Sequence, residues 1–325
     1  MYSKTFFLFP AQGAQYPGMA LDLLKQSQHS GVKRLFRIAS KIQGKDMVEL
    51  LGNSSPEYLK RTDISQPAIT LANLAAAEYL AENGIAPMGC AGFSLGEYAA
   101  LTVAGVINAE ECLFLVKQRG AVMQAAIDRM ENSQPPGMAA VVGLSPEQVE
   151  TLISEWRDSG LKDLYASNFN SYKQVAVSGT ALALDEAEKR FKEAGAKRFR
   201  RLEVAGPYHS PFMKEAADAF AASLSKIEFL DPLIPIFSNV TGKQIRSGVE
   251  AKDLALHQIV ETVRWTDEEA AMALLKPELL LEVGPGTVLQ GLWKETGSAV
   301  PCCGAGTAAE IDELSMENWR NCAAG

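Results

Sequence analysis

The stretch Gly92-Phe93-Ser94-Leu95-Gly96 sets the tightest limit on how this chain folds. Residues 88–91 before it are short and apolar, and residues 97–103 after it, with Tyr98, Ala99, Ala100 and Leu101, read as a helix. A Gly-x-Ser-x-Gly turn from strand to helix, a nucleophile elbow, holds its serine on a sharp bend with the hydroxyl exposed. Glycines permit that bend because they carry no Cβ. The start of the following helix favours developing negative charge. The same five residues also fit an ordinary glycine-rich turn, so the other parts of a serine machine decide between the two readings.

A chain of 325 residues is long enough for a large core, either one big domain or a core with an insert. Its 47% apolar and 22% charged residues are those of an ordinary soluble protein. Cys90, Cys112, Cys302, Cys303 and Cys322 show neither zinc spacing nor a disulfide framework, which fits a reducing cytoplasm. The apolar start Phe6-Phe7-Leu8-Phe9 stops at Pro10, too short for a signal peptide or a membrane span, and reads as a buried first strand. A net charge of −8 argues against a nucleic-acid binder.

Along the chain, a strand at 5–9 leads into a Gly/Gln-rich loop and several helices, among them 65–83, stopped by Gly84. Asn108, with Glu111 three residues on, can cap a long helix. From 137 to 204 the pattern becomes βαββαβ, with a helix opening at Ser145-Pro146 and Gln148, which is a ferredoxin-like order. Helix then resumes at 211–226, followed by a strand at 234–237, helices over 254–275 and a strand at 279–283 ending in Gly284-Pro285-Gly286. The fold class is α/β. The expected division is a discontinuous catalytic domain (1–134 with 206–303), an inserted ferredoxin-like subdomain (135–205) and a flexible C-terminal tail (304–325).

A serine needs a base, and the chain has 3 histidines. His29 ends a polar helix and reads as a surface residue. His257 sits beside apolar residues. His209 follows the Gly206-Pro207 break where the insert returns to the main domain, a place where loops line clefts. The α/β-hydrolase order of serine, acid and late histidine fits poorly, since no histidine follows His257. Of the two oxyanion donors needed, Leu95 N–H supplies one, and the loop Pro10–Gln15 is the best source of the second.

Together these motifs resemble malonyl-CoA:acyl-carrier-protein transacylases and the acyltransferase domains of fatty-acid and polyketide synthases. The pieces run in order from residues 9–15 through Gln66-Pro67-Ala68, residues 92–98, Gln118-Arg119-Gly120, Asn168-x-Asn170, His209-Ser210, residues 238–241, Val263-Arg264-Trp265 and residues 282–286. The resemblance implies a large α/β-hydrolase-like core with a parallel sheet plus the inserted subdomain. It also implies transfer of malonyl from malonyl-CoA to the phosphopantetheine thiol of acyl carrier protein, in fatty-acid or polyketide synthesis. By that resemblance Ser94 is the nucleophile and His209 the base, oriented by the main-chain carbonyl of Gln258. Gln12 and Leu95 give the oxyanion N–H groups, and Arg119 grips the free malonyl carboxylate, which a guanidinium can hold with two parallel bonds. Gln66, Asn239 and Asn168 line the same pocket. Two residues depart from the usual pattern: Phe93 stands where histidine is usual, and Ala11 where glycine is. With Tyr208 they are expected to alter rate or acyl-pocket shape rather than abolish activity.

The implied partners are a CoA thioester and an acidic carrier protein, with no nucleic acid, membrane, metal or tightly bound cofactor, and a monomer is expected. Lys189, Arg190, Lys192, Lys197, Arg198, Arg200 and Arg201 put seven bases against one acid in 13 positions just before His209. They form a candidate carrier-docking face, the alternative being a solvated surface. Competing functions are a serine thioesterase or hydrolase, a methylmalonyl-selective acyltransferase, and a non-catalytic carrier-binding protein.

Overall fold

The computed structural model describes residues 4–130, 136–203 and 206–315. Its strands are β1 (Thr5–Phe9), β2 (Gly89–Gly92), β3 (Gly137–Val142), β4 (Leu164–Ser171), β5 (Gln174–Gly179), β6 (Arg198–Arg201), β7 (Leu279–Glu282) and β8 (Cys302–Gly304). They form a parallel sheet of order β2-β1-β7-β8 and a separate antiparallel sheet of order β4-β5-β3-β6.

β1, β2 and β7 are buried at every position, which is why, apart from the buried Thr5 and Glu282, they read as short runs without polar alternation. Phe7, Phe9, Leu279 and Leu281 face the larger core, while Phe6, Leu8 and Leu280 face a second cluster with Trp265, Leu289 and Trp293. The helix Thr62–Glu82 is apolar and buried nearly all round, as a helix inside a large core must be. It packs against the helix Ala109–Met130. The latter opens with Asn108 and Glu111 capping each other's N–H groups at 2.8 and 3.0 Å.

The antiparallel sheet carries the helices Pro146–Asp158 and Ala181–Glu193 against Ala139, Val141, Val175 and Val177. Register shifts in β4 between Ala166 and Asn168, and between Phe169 and Ser171, mark bulges. A bulge changes which face a side chain takes, so Phe169 enters the apolar cluster while Asn168 and Asn170 line the opposite cavity. Val263 then pairs with this strand, its carbonyl accepting from Phe169 N–H at 2.8 Å and its N–H donating to the Ser167 carbonyl at 2.9 Å.

Two expectations need correction. The strand at 234–237 reduces to isolated bridges, Ile236 to Cys90 and Phe237 to Gln244. The segment from Gly304 is not a loose tail as far as Ser315. β8 extends the parallel sheet, and the helix Ala308–Ser315 buries Ala308, Ile311 and Leu314. Small residues there allow close packing, and Asp22 accepts from Ala308 N–H at 2.7 Å. The expected insert boundaries fall at 131–135 and 204–205, and the last part of the tail at 316–325, outside the described residues. Among the described residues no helix is long and apolar enough to cross a membrane, and no cluster of three or more His, Cys, Asp or Glu could hold a metal.

Candidate active site

β1 and β2 end side by side, and the loops leaving their carboxyl ends build the site, the usual position for ligands on an open parallel sheet. Ser94 follows β2 with φ of 48°, a left-handed conformation that a serine adopts only under constraint. The flanking glycines supply that constraint. A Cβ on Gly92 would overlap the Gly96 backbone, and one on Gly96 would overlap the Phe9 carbonyl of β1.

Ser94 Oγ lies 2.7 Å from His209 Nε2. His209 Nδ1 lies 2.8 Å from the Gln258 carbonyl, an acceptor only, which places the ring proton on Nδ1 and leaves Nε2 free to accept. His209 is buried, and burial, followed by the nearby Arg119 cation, lowers its pKa to about 4. The ring is therefore neutral near pH 7 and ready to take a proton. His29 and His257 are exposed, the latter against Asp253.

Ser94, His209 and Arg119 line one cavity of about 840 Å³, with Gln12, Gln66, Phe93, Leu95, Asn168 and Tyr208 also in its wall. Neither Leu95 N–H nor Gln12 N–H bonds a protein acceptor among the described residues. Gln12 is held by its side chain instead, Nε2 donating to Tyr208 Oη at 3.3 Å. Tyr208 Oη is also 2.6 Å from Thr62 Oγ1.

Arg119 is 1% exposed, yet it makes no ion pair among the described residues. Its Nη2 donates to Gln258 Oε1 at 3.1 Å, its guanidinium stands 5.6 Å from the Tyr98 ring centre, and its Nε has no partner. The nearby buried Glu97 acts on it electrostatically without forming an ion pair, so a buried guanidinium facing the cavity keeps the capacity to bind an anion.

The residues expected from sequence separate at one point. Gln66, Asn168, Phe93 and Tyr208 reach the cavity, but Asn239 does not. Asn239 is fully buried behind the elbow, donating from Nδ2 to the Gly92 carbonyl and to Glu268, each at 2.7 Å, and from its backbone N–H to Glu97 at 2.8 Å. Its amide thus braces the turn instead of touching a ligand. Phe93 faces the cavity and packs edge-on against Trp265, centroids 5.4 Å apart.

Sequence reasoning missed the buried acids beneath the elbow. Burial raises Glu97 to about 7 and raises Glu268 as well. A carboxylate inside an otherwise apolar helical run, as in Glu97-Tyr98-Ala99-Ala100-Leu101, was the available signal. The side-chain role of Gln258 was missed too: Nε2 donates to the Ser94 carbonyl at 2.9 Å.

Of the expected basic face, Lys189 and Arg190 pair with Glu186, Lys192 with Glu188, and Arg201 with Asp185. Arg198 and Arg200 lie on edge strand β6 opposite Val142 and Ala140. They make no ion pair among the described residues, and Leu202, next on that side, reaches the cavity.

Residues 6–313 match the acyl transferase domain family. The chain is 37% identical over 289 residues to the malonyl CoA-acyl carrier protein transacylase of Escherichia coli strain K12, covering 89% of this chain and 91% of that one. Its fold superposes with a TM-score of 0.88 on an acyl carrier protein S-malonyltransferase from Vibrio cholerae, at 36% identity over 96% of this chain and 100% of that one. A TM-score of 0.88 is also found, at 34% identity over 97% of this chain and 100% of the other, with a malonyl-transacylase solved in complex with a type II PKS acyl-carrier protein.

Proposed function

The chain belongs to the acyl transferase family, and from that premise we propose that it moves malonyl from malonyl-CoA to the phosphopantetheine thiol of an acyl carrier protein, in fatty-acid or polyketide synthesis. The observation that carries this reading is Arg119: a buried, unpaired guanidinium in the same cavity as the Ser94–His209 pair. A malonyl group offers a carboxylate for the first and a thioester carbonyl for the second.

In the first half-reaction Ser94 Oγ attacks the thioester carbonyl while His209 Nε2 takes its proton. The oxyanion is received by the N–H groups of Leu95 and Gln12. As the tetrahedral intermediate collapses, the C–S bond breaks and the departing CoA sulfur takes the proton from His209. The second half runs in reverse: His209 deprotonates the carrier's thiol, whose sulfur attacks the Ser94 ester, and Ser94 recovers its proton. The Gln258 carbonyl keeps the ring oriented and stabilises the imidazolium during each transfer, the work a carboxylate does in other serine enzymes. Gln66 and Asn168 offer polar contacts along the malonyl group, and Phe93 and Tyr208 bound the acyl space.

We read the parallel sheet as an α/β-hydrolase-like core and the antiparallel unit as a ferredoxin-like insert, on its strand order and its helices on one face. A monomer in a reducing, cytoplasmic setting is the working form this reading takes. Lys197, Arg198 and Arg200, exposed and without an ion pair among the described residues, are the part of the basic face free to meet a carrier. Their charge reversal should raise the KM for the carrier while sparing malonyl-CoA hydrolysis.

The test of the reaction is labelled malonyl-CoA. Label trapped on Ser94 and passed to holo carrier protein is the expected result. Label lost only to water would make the protein a thioesterase, and no label at all would leave a binding protein. Methylmalonyl-CoA run alongside sets the acyl preference.

A further inference from the structure

The helix Gly31–Gln43 carries an unusually one-sided charge. Between Asp22 and Asp46 the sequence places Lys25, Lys33, Arg34, Arg37, Lys41 and Lys45 and no acid, in a chain of net charge −8. The helix buries Val32, Leu35, Phe36 and Ala39. Lys33, Arg34, Arg37 and Lys41, spaced three and four residues apart, therefore emerge together on its solvent side, and all are exposed. Neither they nor Lys45 make an ion pair among the described residues. The helix Ala181–Glu193 is built differently, with acids one turn away matching its bases. Like charges at helical spacing repel, and here none of them is relieved by an ion pair among the described residues, although Asp46 lies in the same groove and the Glu78 carboxylate abuts Gly31.

The row also leads to the cavity mouth. Lys45 Nζ donates to Tyr58 Oη at 3.2 Å. Tyr58 belongs to the short helix Pro56–Leu59, and Pro56, Glu57, Lys60 and Arg61 line the cavity that holds Ser94. Beside the row runs a shallow groove of about 610 Å³ whose lining includes Arg37, Lys41, Lys45, one acid (Asp46) and the exposed Val48, so three bases outnumber one acid there and some apolar contact lies next to the charge.

We propose that this row is a docking surface for the carrier protein, an acidic partner whose thiol enters the cavity past Lys60. The proposal rests on the malonyl-transfer reading. It concerns the wall of the cavity formed by residues 56–61, apart from Arg198 and Arg200 on the sheet side. Exposed charges at the rim of an interface act mainly on association and its salt dependence.

The experiment compares wild type with the double variant R37E/K41E, and with R37A/K41A should charge reversal lower the Tm. At low salt the KM for holo carrier rises about tenfold in R37E/K41E and loses most of its salt dependence. The rate of Ser94 labelling by malonyl-CoA alone changes less than about twofold, because Arg37 and Lys41 line no part of the cavity that holds Ser94 and their exposed charges are screened. Carrier affinity measured by calorimetry on Ser94→Ala, with and without the substitutions, tests the surface independently of chemistry. A carrier KM and affinity that do not move overturn the proposal. So does an unchanged carrier KM combined with loss of duplex-DNA binding, which would make the partner a nucleic acid. Wild type that never labels Ser94 refutes the reaction instead, and the calorimetry still decides the surface.

Discussion

His209 lies where a proton is unwelcome, excluded first by burial and then by the Arg119 cation. With its pKa at about 4, loading of Ser94 should hold its rate from neutral pH down to about 5 and fall only below that. Arg119→Met removes the cation, so the histidine pKa rises and the acid limb of loading by an acetyl donor moves to higher pH. A limb that stays in place would mean that Arg119 does not act on the ring. Gln258 holds the same three groups together: its carbonyl receives His209, its Oε1 receives Arg119, and its Nε2 donates to the Ser94 carbonyl. Only the first contact belongs to the backbone, so Gln258→Leu should spare ring orientation. The variant should lose malonyl-over-acetyl preference and about 1–3 kcal/mol of stability as Arg119 loses its side-chain acceptor. Equal slowing with both donors would assign the side chain a structural role alone. Ser94, His209 and Arg119 are legible in the sequence because each is a telling residue type at a motif. The contacts of Gln258 and Asn239 are not, since they join segments far apart in the chain, Asn239 meeting Glu97 across 142 positions.

At the scale of elements, the elbow is a packing device as much as a turn. Gly96 lets the following helix rest on the end of β1, where a Cβ would meet the Phe9 carbonyl. Gly96→Ala should therefore cost on the order of 2–4 kcal/mol in urea unfolding and abolish labelling of Ser94, the backbone having nowhere to yield. Ser145→Ala is the contrast. It breaks a capping box whose bonds are 2.9 and 3.3 Å, and should cost about 1 kcal/mol with no change in turnover. Both features are readable from residue type and spacing, as are the antiparallel sheet, the strands β1, β2 and β7 of the parallel one and the long helices, whose periodicity or continuous apolarity is strong. The β4 bulges are not readable: strict alternation would put Asn168 and Phe169 on the wrong faces, and only pairing with β5 and Val263 fixes them. The helix Ala308–Ser315 was hidden for a different reason. Its alanines carry little apolar signal by themselves and become core only by lying against a large neighbour.

The whole molecule balances these sites against its stability through the acids it buries. Burial lifts Glu97 to about 7 and Glu269 to about 8, and raises Glu268 and Glu282 as well. In the unfolded chain these groups ionise near 4.5. Between that pH and about 8 the folded state therefore binds more protons than the unfolded state, and stability falls as pH rises. His209 works the other way: its folded pKa is about 4 against 6.5 unfolded, so it costs stability as pH falls through that lower window and contributes no slope above about 7. Near neutrality the acids are left unopposed. Urea midpoints should then drop from pH 6 to pH 8.5, with a slope on the order of 1 kcal/mol per pH unit. Glu269 provides a clean probe, since it lies away from Ser94 and accepts from Trp265 Nε1 at 2.9 Å, a bond the amide oxygen of glutamine can keep. Glu269→Gln should flatten the decline at its alkaline end while leaving malonyl transfer near the wild-type rate. A midpoint that stays level over this range in wild type would mean that these carboxyls already ionise within the fold at neutral pH. The acids beneath the elbow would then be held by compensation from Arg119 and Asn239 rather than by protonation.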